Sequence, residues 1–169
     1  IERGGLGTPA SAGYWQRHKA AFAFMAAYSG PVTIYYGDEI GQEVAGYAAR
    51  VEADCGARGL CEDHVSRDGG VVDGVQGPSL SAQARDLKNH VARLMKVRAD
   101  NPALYNGART HVFSDTNVYI DRKDNGGNRV LLVLNVKEKA ALVTLGAGVV
   151  SGAAGLTDLV TGEVIKPGA

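Results

Sequence analysis

The 169-residue sequence has few cysteines, no long apolar stretch and no excess of charge of either sign. Its longest nearly uninterrupted apolar run, residues 20–28, is far shorter than the roughly 20 residues that a membrane-spanning helix needs. Lysine plus arginine equals aspartate plus glutamate at 18 each, so no long-range field recruits nucleic acid or an anionic membrane. We therefore expect neither a nucleic-acid partner nor a membrane partner.

Metal-ligand and catalytic-triad patterns are also scarce. Two cysteines with one nearby histidine, His64, are too few ligands for a closed tetrahedral zinc site. The acidic residues of 52–73 do not have the ligand spacing of a calcium-binding loop. His18, His90 and His111 have no carboxylate at triad spacing and are interpreted as surface or capping residues. We expect no metal site and no cofactor in this chain.

The first hundred residues predict a buried strand between two helices. Residues 32–36 are β-branched and aromatic without polar alternation, which is typical of a strand buried on both faces in a parallel sheet. Apolar positions at three- and four-residue spacings predict the helices, and Asn101-Pro102 ends the second. The predicted segments are helix 14–29, strand 31–36, loop 37–78 and helix 79–100.

Beyond Pro102 the pattern changes to short β-rich runs separated by turn signals, which predicts a small antiparallel β-sandwich. The runs are 110–113, 118–122, 129–135, 140–145 and 156–166. We place a domain boundary near 103–107, between an α/β portion, 1–104, and an all-β portion, 105–169. The fold class is therefore α/β followed by all-β.

The predicted buried strand has no parallel partner in the chain. A lone strand cannot satisfy its own backbone hydrogen-bonding groups, so its neighbours must come from elsewhere. A strand between helices, with a long loop at its carboxyl end, is one βα unit of an α/β barrel or doubly wound sheet. A full barrel takes about 250 residues, and we therefore expect a carboxy-terminal piece of a larger enzyme.

Three motifs resemble the α-amylase family, glycoside hydrolase family 13. Gly30 to Gly41, GPVTIYYGDEIG, is similar to the family's last barrel strand. Residues 87–104, with their NPAL ending, look like its eighth helix, and residues 157–163 look like a hairpin of its C-terminal β-sandwich. The resemblance implies the last βα unit or units of a TIM-type (β/α)8 barrel plus that sandwich, and it extends from Tyr14 to the end.

The resemblance also implies a retaining glycoside hydrolase that acts on α-glucosidic bonds of starch, maltodextrin or related α-glucosides. Such catalysis needs two carboxyl groups about 5 Å apart, and the family's catalytic Asp, Glu and Asp match no residue of this chain. We expect no catalytic residue here and no activity of the chain alone. The expected partners are an α-glucan and the missing N-terminal barrel part, and calcium is expected only upstream.

Two rival interpretations stay open. One is a non-catalytic carbohydrate-binding or structural module, although past Pro102 only Tyr105, Phe113 and Tyr119 are aromatic. The other is an α+β domain that shares the family's ending without activity.

Candidate substrate-binding residues follow the predicted strand, at the end where barrel enzymes place their sites. Tyr36 offers a ring for stacking, and Asp38, Arg67 and Asp68 suit hydroxyl recognition by charged hydrogen bonds. The alternatives are a core tyrosine, a capping aspartate and a solvated loop. Neighbouring strand residues face opposite ways, so Glu39 cannot act with Asp38 as a catalytic pair, and we expect a structural role for it.

Cys55 and Cys61 are the only cysteines. A disulfide between them would contribute roughly 2 kcal/mol on the chain-entropy model, while free thiols and a metal site remain alternatives. A disulfide indicates an oxidising compartment, which predicts a periplasmic or extracellular protein.

Overall fold

The structure, a computed structural model, describes residues 9–44, 69–72, 75, 79–150 and 155–166. The chain divides into unit 1, residues 1–33 with 89–169, and unit 2, residues 34–88. The helices are α1 (Ala12–Ala27), α2 (Ala82–Asp100), α3 (Pro102–Asn106) and α4 (Ala147–Val150), and the strands are β1 (Ala108–Ser114), β2 (Val118–Asn125), β3 (Asn128–Asn135), β4 (Leu156–Thr157) and β5 (Val164–Ile165). Helices followed by antiparallel strands agree with the predicted fold class. Among the described helices, none combines the length and apolarity that crossing a bilayer requires.

Helix α1 corresponds to the predicted helix 14–29 but lies two residues nearer the N-terminus. It ends because Tyr28 leaves the helical region, with φ −72° and ψ 145°, and because Gly30 adopts φ +85°. Phe22, Ala26 and Ala27 are buried. The chain therefore leaves the helix at a defined point, beside carbonyl groups that the helix itself cannot satisfy.

Helix α2 begins at Ala82 rather than at 79. Ser81 Oγ accepts the Ala84 N–H at 3.1 Å, which satisfies one of the free amides of the first turn. At the other end Asn101 Nδ2 donates to Val97 O at 2.7 Å, and Pro102 starts α3. The buried residues of α2 are Ala84 and Leu87, which belong to unit 2, and Val91, Leu94 and Arg98, which belong to unit 1.

The main sheet is an antiparallel meander in the order β1-β2-β3. Gly126 and Gly127, with φ +53° and +92°, join β2 to β3 as a two-residue hairpin in which both turn residues need positive φ. The central strand β2 buries Val118 and Ile120, so the core of the sheet lies on this strand. Strands β4 and β5 form a separate two-stranded sheet.

The strand predicted at 31–36 is not formed within the described residues, and because its neighbours were expected to come from elsewhere it stays a prediction. Residues 31–35 have no regular secondary structure, and neither sheet of the described residues contains them. Tyr35 and Tyr36 are 45% and 48% exposed rather than buried. The physical reason is that a strand forms only beside a partner, and the described part of the chain offers none here.

The runs predicted at 140–145 and 156–166 also differ. Residues 140–146 are irregular and Leu142 is 98% exposed, because no described strand pairs with them. In the second run Asp158 Oδ1 accepts the Val160 and Thr161 N–H groups at 2.7 and 3.1 Å. That turn divides the run into the short strands β4 and β5.

Candidate functional site

The candidate sugar contacts Tyr36 and Asp38 lie on a tight turn in unit 2. Gly37 adopts φ +92°, and one turn of 3-10 helix begins at Asp38. The Gly37 carbonyl accepts the N–H groups of Ile40 and Gln42 at 3.2 and 2.9 Å. Within this turn Ile40 is buried and Asp38 is exposed.

Glu39 lies in the same turn and makes a backbone contact. Its Oε2 accepts the Gly37 N–H at 2.9 Å, and a carboxylate bonded to a backbone amide is a strong, charge-assisted acceptor. The structural role of Glu39 and the roles of Tyr36 and Asp38 in sugar binding stay predictions.

The two tyrosines before this turn face each other. Their ring centroids are 4.4 Å apart with planes tilted by 34°, and a Cβ added to Gly70 would lie 3.6 Å from Tyr36 Cδ2. Both rings are about half exposed. The alternative of a core position for Tyr36 is not met within the described residues, because none of the described strands covers it.

Several predicted site residues lie outside the described residues. These are Arg67 and Asp68, proposed for substrate binding, and Cys55 and Cys61, proposed as a disulfide. They stay predictions. Within the described ranges, no group of three or more His, Cys, Asp or Glu side chains could hold a metal ion.

Replacing Gly37 with alanine should destabilise the turn by about 1–3 kcal/mol. The new Cβ would lie 2.7 Å from Gln42 Oε1 and 3.0 Å from Gln42 Cβ, and φ is +92°. Urea unfolding measures the loss. Gly69→Ala is the matched control, because nothing lies within 4 Å of a Cβ added there; equal losses for the two variants would contradict the prediction.

A polar network that sequence analysis missed joins β1 and β2. Asp121, 5% exposed, accepts from Arg109 Nε at 2.6 Å and from the Tyr119 hydroxyl at 2.5 Å through Oδ2. Its Oδ1 lies 3.1 Å from His111 Nδ1. Arg109 also donates to the Tyr119 hydroxyl oxygen at 3.0 Å. A buried carboxylate is thus held by three side chains.

The strand register explains this network. His111, interpreted from the sequence as a surface or capping residue, lies opposite Asp121 in the β1–β2 pairing and contacts it. The available signal was the turn between the two β-rich runs, since turn geometry fixes register. Asp115 Oδ1 closes that turn by accepting the Asn117 and Val118 N–H groups at 2.6 and 2.7 Å.

The network keeps Asp121 ionised. Burial acts to raise the pKa of Asp121, but hydrogen bonds from Tyr119 and His111 and the charge of Arg109 outweigh it and hold the pKa below its ordinary 3.8. The hydrogen bond to Asp121 in turn raises the pKa of the Tyr119 phenol above 10.0. At neutral pH the arrangement is a fixed carboxylate beside a fixed, protonated phenol.

Asp121→Asn should lower the free energy of unfolding by about 2–3 kcal/mol at pH 7, because it removes hydrogen bonds to a charged acceptor. The folded-state pKa is below 3.8, so the stabilisation is present above that pH and is lost as the pH falls through the folded pKa. The difference between wild type and variant should therefore shrink under acid conditions. Urea unfolding at pH 7 and at several values below 4 checks this.

The control for this prediction is Asp100→Asn, which alters an exposed carboxylate paired with Lys96 at 2.8 Å. It should change stability by less than about 0.5 kcal/mol. If the stability difference between wild type and Asp121→Asn increased as the pH falls, this would contradict a lowered pKa of Asp121.

Two buried cations lie where α1 ends. Arg98 donates to the carbonyls of Ala26 and Tyr28, both at 2.7 Å, to Leu104 O at 3.3 Å and to the Gly30 carbonyl. Lys123, 2% exposed, donates from Nζ to Ala27 O at 2.7 Å and Leu104 O at 2.5 Å. Together they satisfy carbonyls that the helix leaves free, at the negative end of its dipole.

A cavity of about 140 Å³ lies beside this network, within unit 1. The Phe24 ring is 5.8 Å from Tyr28 and 6.3 Å from Tyr119, centroid to centroid, with interplanar angles of 47° and 68°. The cavity thus combines aromatic rings with ionised groups. Its lining residues are Phe24, Ala27, Tyr28, Ser29, Arg109, Tyr119, Asp121, Lys123 and Leu132.

Comparison with known proteins gives matches among solved structures only. No protein-family model and no curated protein matches the chain. AmyP in complex with maltose is 43% identical with a TM-score of 0.87, over 99% of this chain and 33% of AmyP. An AmyP variant in complex with maltotriose is 44% identical with a TM-score of 0.86, over 98% of this chain and 33% of that one.

A more distant match shows a shared fold alone. A MutB variant in complex with sucrose is 15% identical with a TM-score of 0.50, over 71% of this chain and 30% of MutB. The chain thus spans about a third of the length of the solved structures that it matches.

Proposed function

Because the chain belongs to the α-amylase family, glycoside hydrolase family 13, and matches the C-terminal part of AmyP, we propose that it is the C-terminal portion of a retaining glycoside hydrolase. The proposed substrates are starch, maltodextrin or related α-glucosides. The observation that carries this proposal is 43% identity with AmyP over 99% of the chain. AmyP itself was crystallised with maltose and, as a variant, with maltotriose, which supports an α-glucan as the partner.

The proposal assigns catalysis to a part of the protein beyond these 169 residues. The family's Asp, Glu and Asp match no position here, so the chain alone should not hydrolyse α-glucosides. Its proposed task is to complete the barrel, with residues 31–36 as its last strand. This role accounts for the uncovered side chains of Tyr35 and Tyr36, because neighbouring barrel strands would cover them.

Within that enzyme, Tyr36, Asp38, Arg67 and Asp68 are proposed to contact the sugar. The exposed position of Asp38, after the proposed strand, supports this role, since barrel enzymes build their sites at strand carboxyl ends. Glu39 is proposed to hold the turn through its bond to the Gly37 amide.

A chimera tests the proposal. The matching C-terminal part of AmyP is replaced by this chain, and release of reducing sugar from maltotriose and starch is compared with that of intact AmyP, of the truncated AmyP and of the 169-residue chain alone. We expect activity in the chimera and in AmyP only. A chimera that unfolds cooperatively on heating but has no activity would overturn the proposal, as would turnover by the chain alone.

The disulfide and the location are proposed together. A Cys55–Cys61 bond supports a periplasmic or extracellular protein, because such bonds persist in oxidising compartments. Thiol alkylation of the purified protein under non-reducing conditions tests the bond, and rapid labelling of both cysteines would refute it.

A further inference from the structure

The cavity between α1 and the sheet combines aromatic rings with fixed polar groups. Its volume of about 140 Å³ is close to that of a cavity that holds one benzene ring, so a six-membered ring with hydroxyl groups would be held in part and would stay partly exposed to solvent. Ligand sites are typically concave and mostly apolar, with a few fixed polar groups. We propose that this cavity binds one pyranose ring of an uncharged sugar.

The aromatic rings define the apolar part of the site. Phe24 and Tyr28 are 41% and 57% exposed, so solvent reaches them, and the Tyr119 ring is inclined to Phe24 by 68°. The C–H groups on one face of a pyranose form an apolar surface, and the electron-rich faces of aromatic rings attract such polarised hydrogens. Two inclined rings offer contacts to one face and one edge of the sugar.

The polar groups are held before any ligand arrives. Asp121 is fixed by Arg109, Tyr119 and His111, so it need not reorganise on binding. Lys123 carries three N–H donors, of which two bond Ala27 O and Leu104 O. The third has no hydrogen-bond partner among the described residues, and Lys123 lines the cavity. A hydroxyl oxygen would satisfy it.

The charge balance favours a neutral ligand over an ion. Arg109 is paired with Asp121 at 2.6 Å, and Lys123 bonds a carbonyl near the negative end of the α1 dipole. An anion would face the Asp121 carboxylate, and a cation would face Arg109 and Lys123. An uncharged molecule with several hydroxyls, each both donor and acceptor, meets neither repulsion. That the bound ring is glucose is inferred from the proposed function. That the ligand is an uncharged ring is inferred from the cavity alone.

Nuclear magnetic resonance titration of the isotope-labelled 169-residue chain with maltose tests the site. We expect the amide signals of Ser29, Tyr119 and Leu132 to move together, and that of the solvent-exposed Leu142 to stay in place. Tyr28→Ala should weaken maltose binding roughly tenfold, as truncating an aromatic anchor does. Tyr105→Ala is the matched control, because Tyr105 is 42% exposed, lies in the same unit and does not line the cavity; its affinity should equal that of wild type.

Phe24→Leu serves as a second variant that keeps an apolar side chain and removes the ring, so the test stands if Tyr28→Ala does not fold. Unmoved cavity signals, or wild-type affinity in the Tyr28 and Phe24 variants that fold, would overturn the site. Tighter binding of glucuronate than of maltose would also overturn it, in favour of an anion site. The titration does not depend on hydrolysis, so the two proposals fail separately. An inactive chimera refutes the proposed function. If the chimera is active but maltose moves no cavity signal, only the cavity site is refuted.

Discussion

Replacing Arg98 with methionine should lower the free energy of unfolding by about 3–5 kcal/mol, in the range expected when a buried charge network loses one member. Methionine keeps most of the aliphatic volume but leaves four carbonyls, those of Ala26, Tyr28, Gly30 and Leu104, without this donor. Unsatisfied buried acceptors cost about 1–3 kcal/mol each. Chemical denaturation of the purified chain, followed by circular dichroism, measures the loss.

Lys96→Met is the control for Arg98→Met. Lys96 is also a cation on α2, but it is exposed and pairs with Asp100 at 2.8 Å, and such surface pairs contribute only about 0.3–0.5 kcal/mol. If the two variants lost the same stability, Arg98 would act only as a positive charge on α2. Its hydrogen bonds to the carbonyls at the end of α1 would then contribute nothing.

Lys123→Met should cost about 2–4 kcal/mol at pH 7, because the buried Ala27 O loses its side-chain donor and Leu104 O loses the nearer of its two. The loss should depend on pH. Burial of the ammonium, and then the charges of Arg98 and Arg109, lower the pKa of Lys123 below its ordinary 10.5. Urea unfolding of both proteins across the alkaline range measures the dependence.

The direction of that dependence follows from proton binding. Between the lowered folded-state pKa and 10.5, the unfolded chain holds a proton on Lys123 that the folded chain has released, so wild-type stability gains from rising pH. Methionine has no such proton. The wild-type advantage should therefore increase with pH in this window, whereas an advantage that decreases would contradict a lowered pKa. Comparing the two proteins subtracts the opposing effect of the Tyr119 phenol, whose pKa is raised.

Much of the fold could be predicted from the sequence where local signals were sufficient. The Gly126-Gly127 pair fixes a hairpin because both positions need positive φ, and Pro102 marks the end of α2. The predicted strands that are not formed within the described residues share another cause. Residues 31–36 and 140–145 have strand composition, but a strand also requires a neighbour, and composition carries no information about whether one is present.

The candidate site was predictable to a smaller degree. Tyr36, Asp38 and Glu39 were singled out because they lie in a recognisable motif, and their roles stay predictions. The Asp121 network was missed because its members come together only through the strand register. Arg98 lies within the predicted helix 79–100, yet its partners are backbone carbonyls, which no side-chain pattern reveals.

The buried cations also bear on the order of folding. Arg98 and Lys123 reach back 72 and 96 residues to Ala26 and Ala27, whereas β1, β2 and β3 pair across short turns. Closing a long loop is entropically more costly than closing a short one, and contacts distant in sequence slow folding. The sheet should therefore form first and capture α1 late, so that in stopped-flow experiments Lys123→Met accelerates unfolding and leaves the refolding rate almost unchanged.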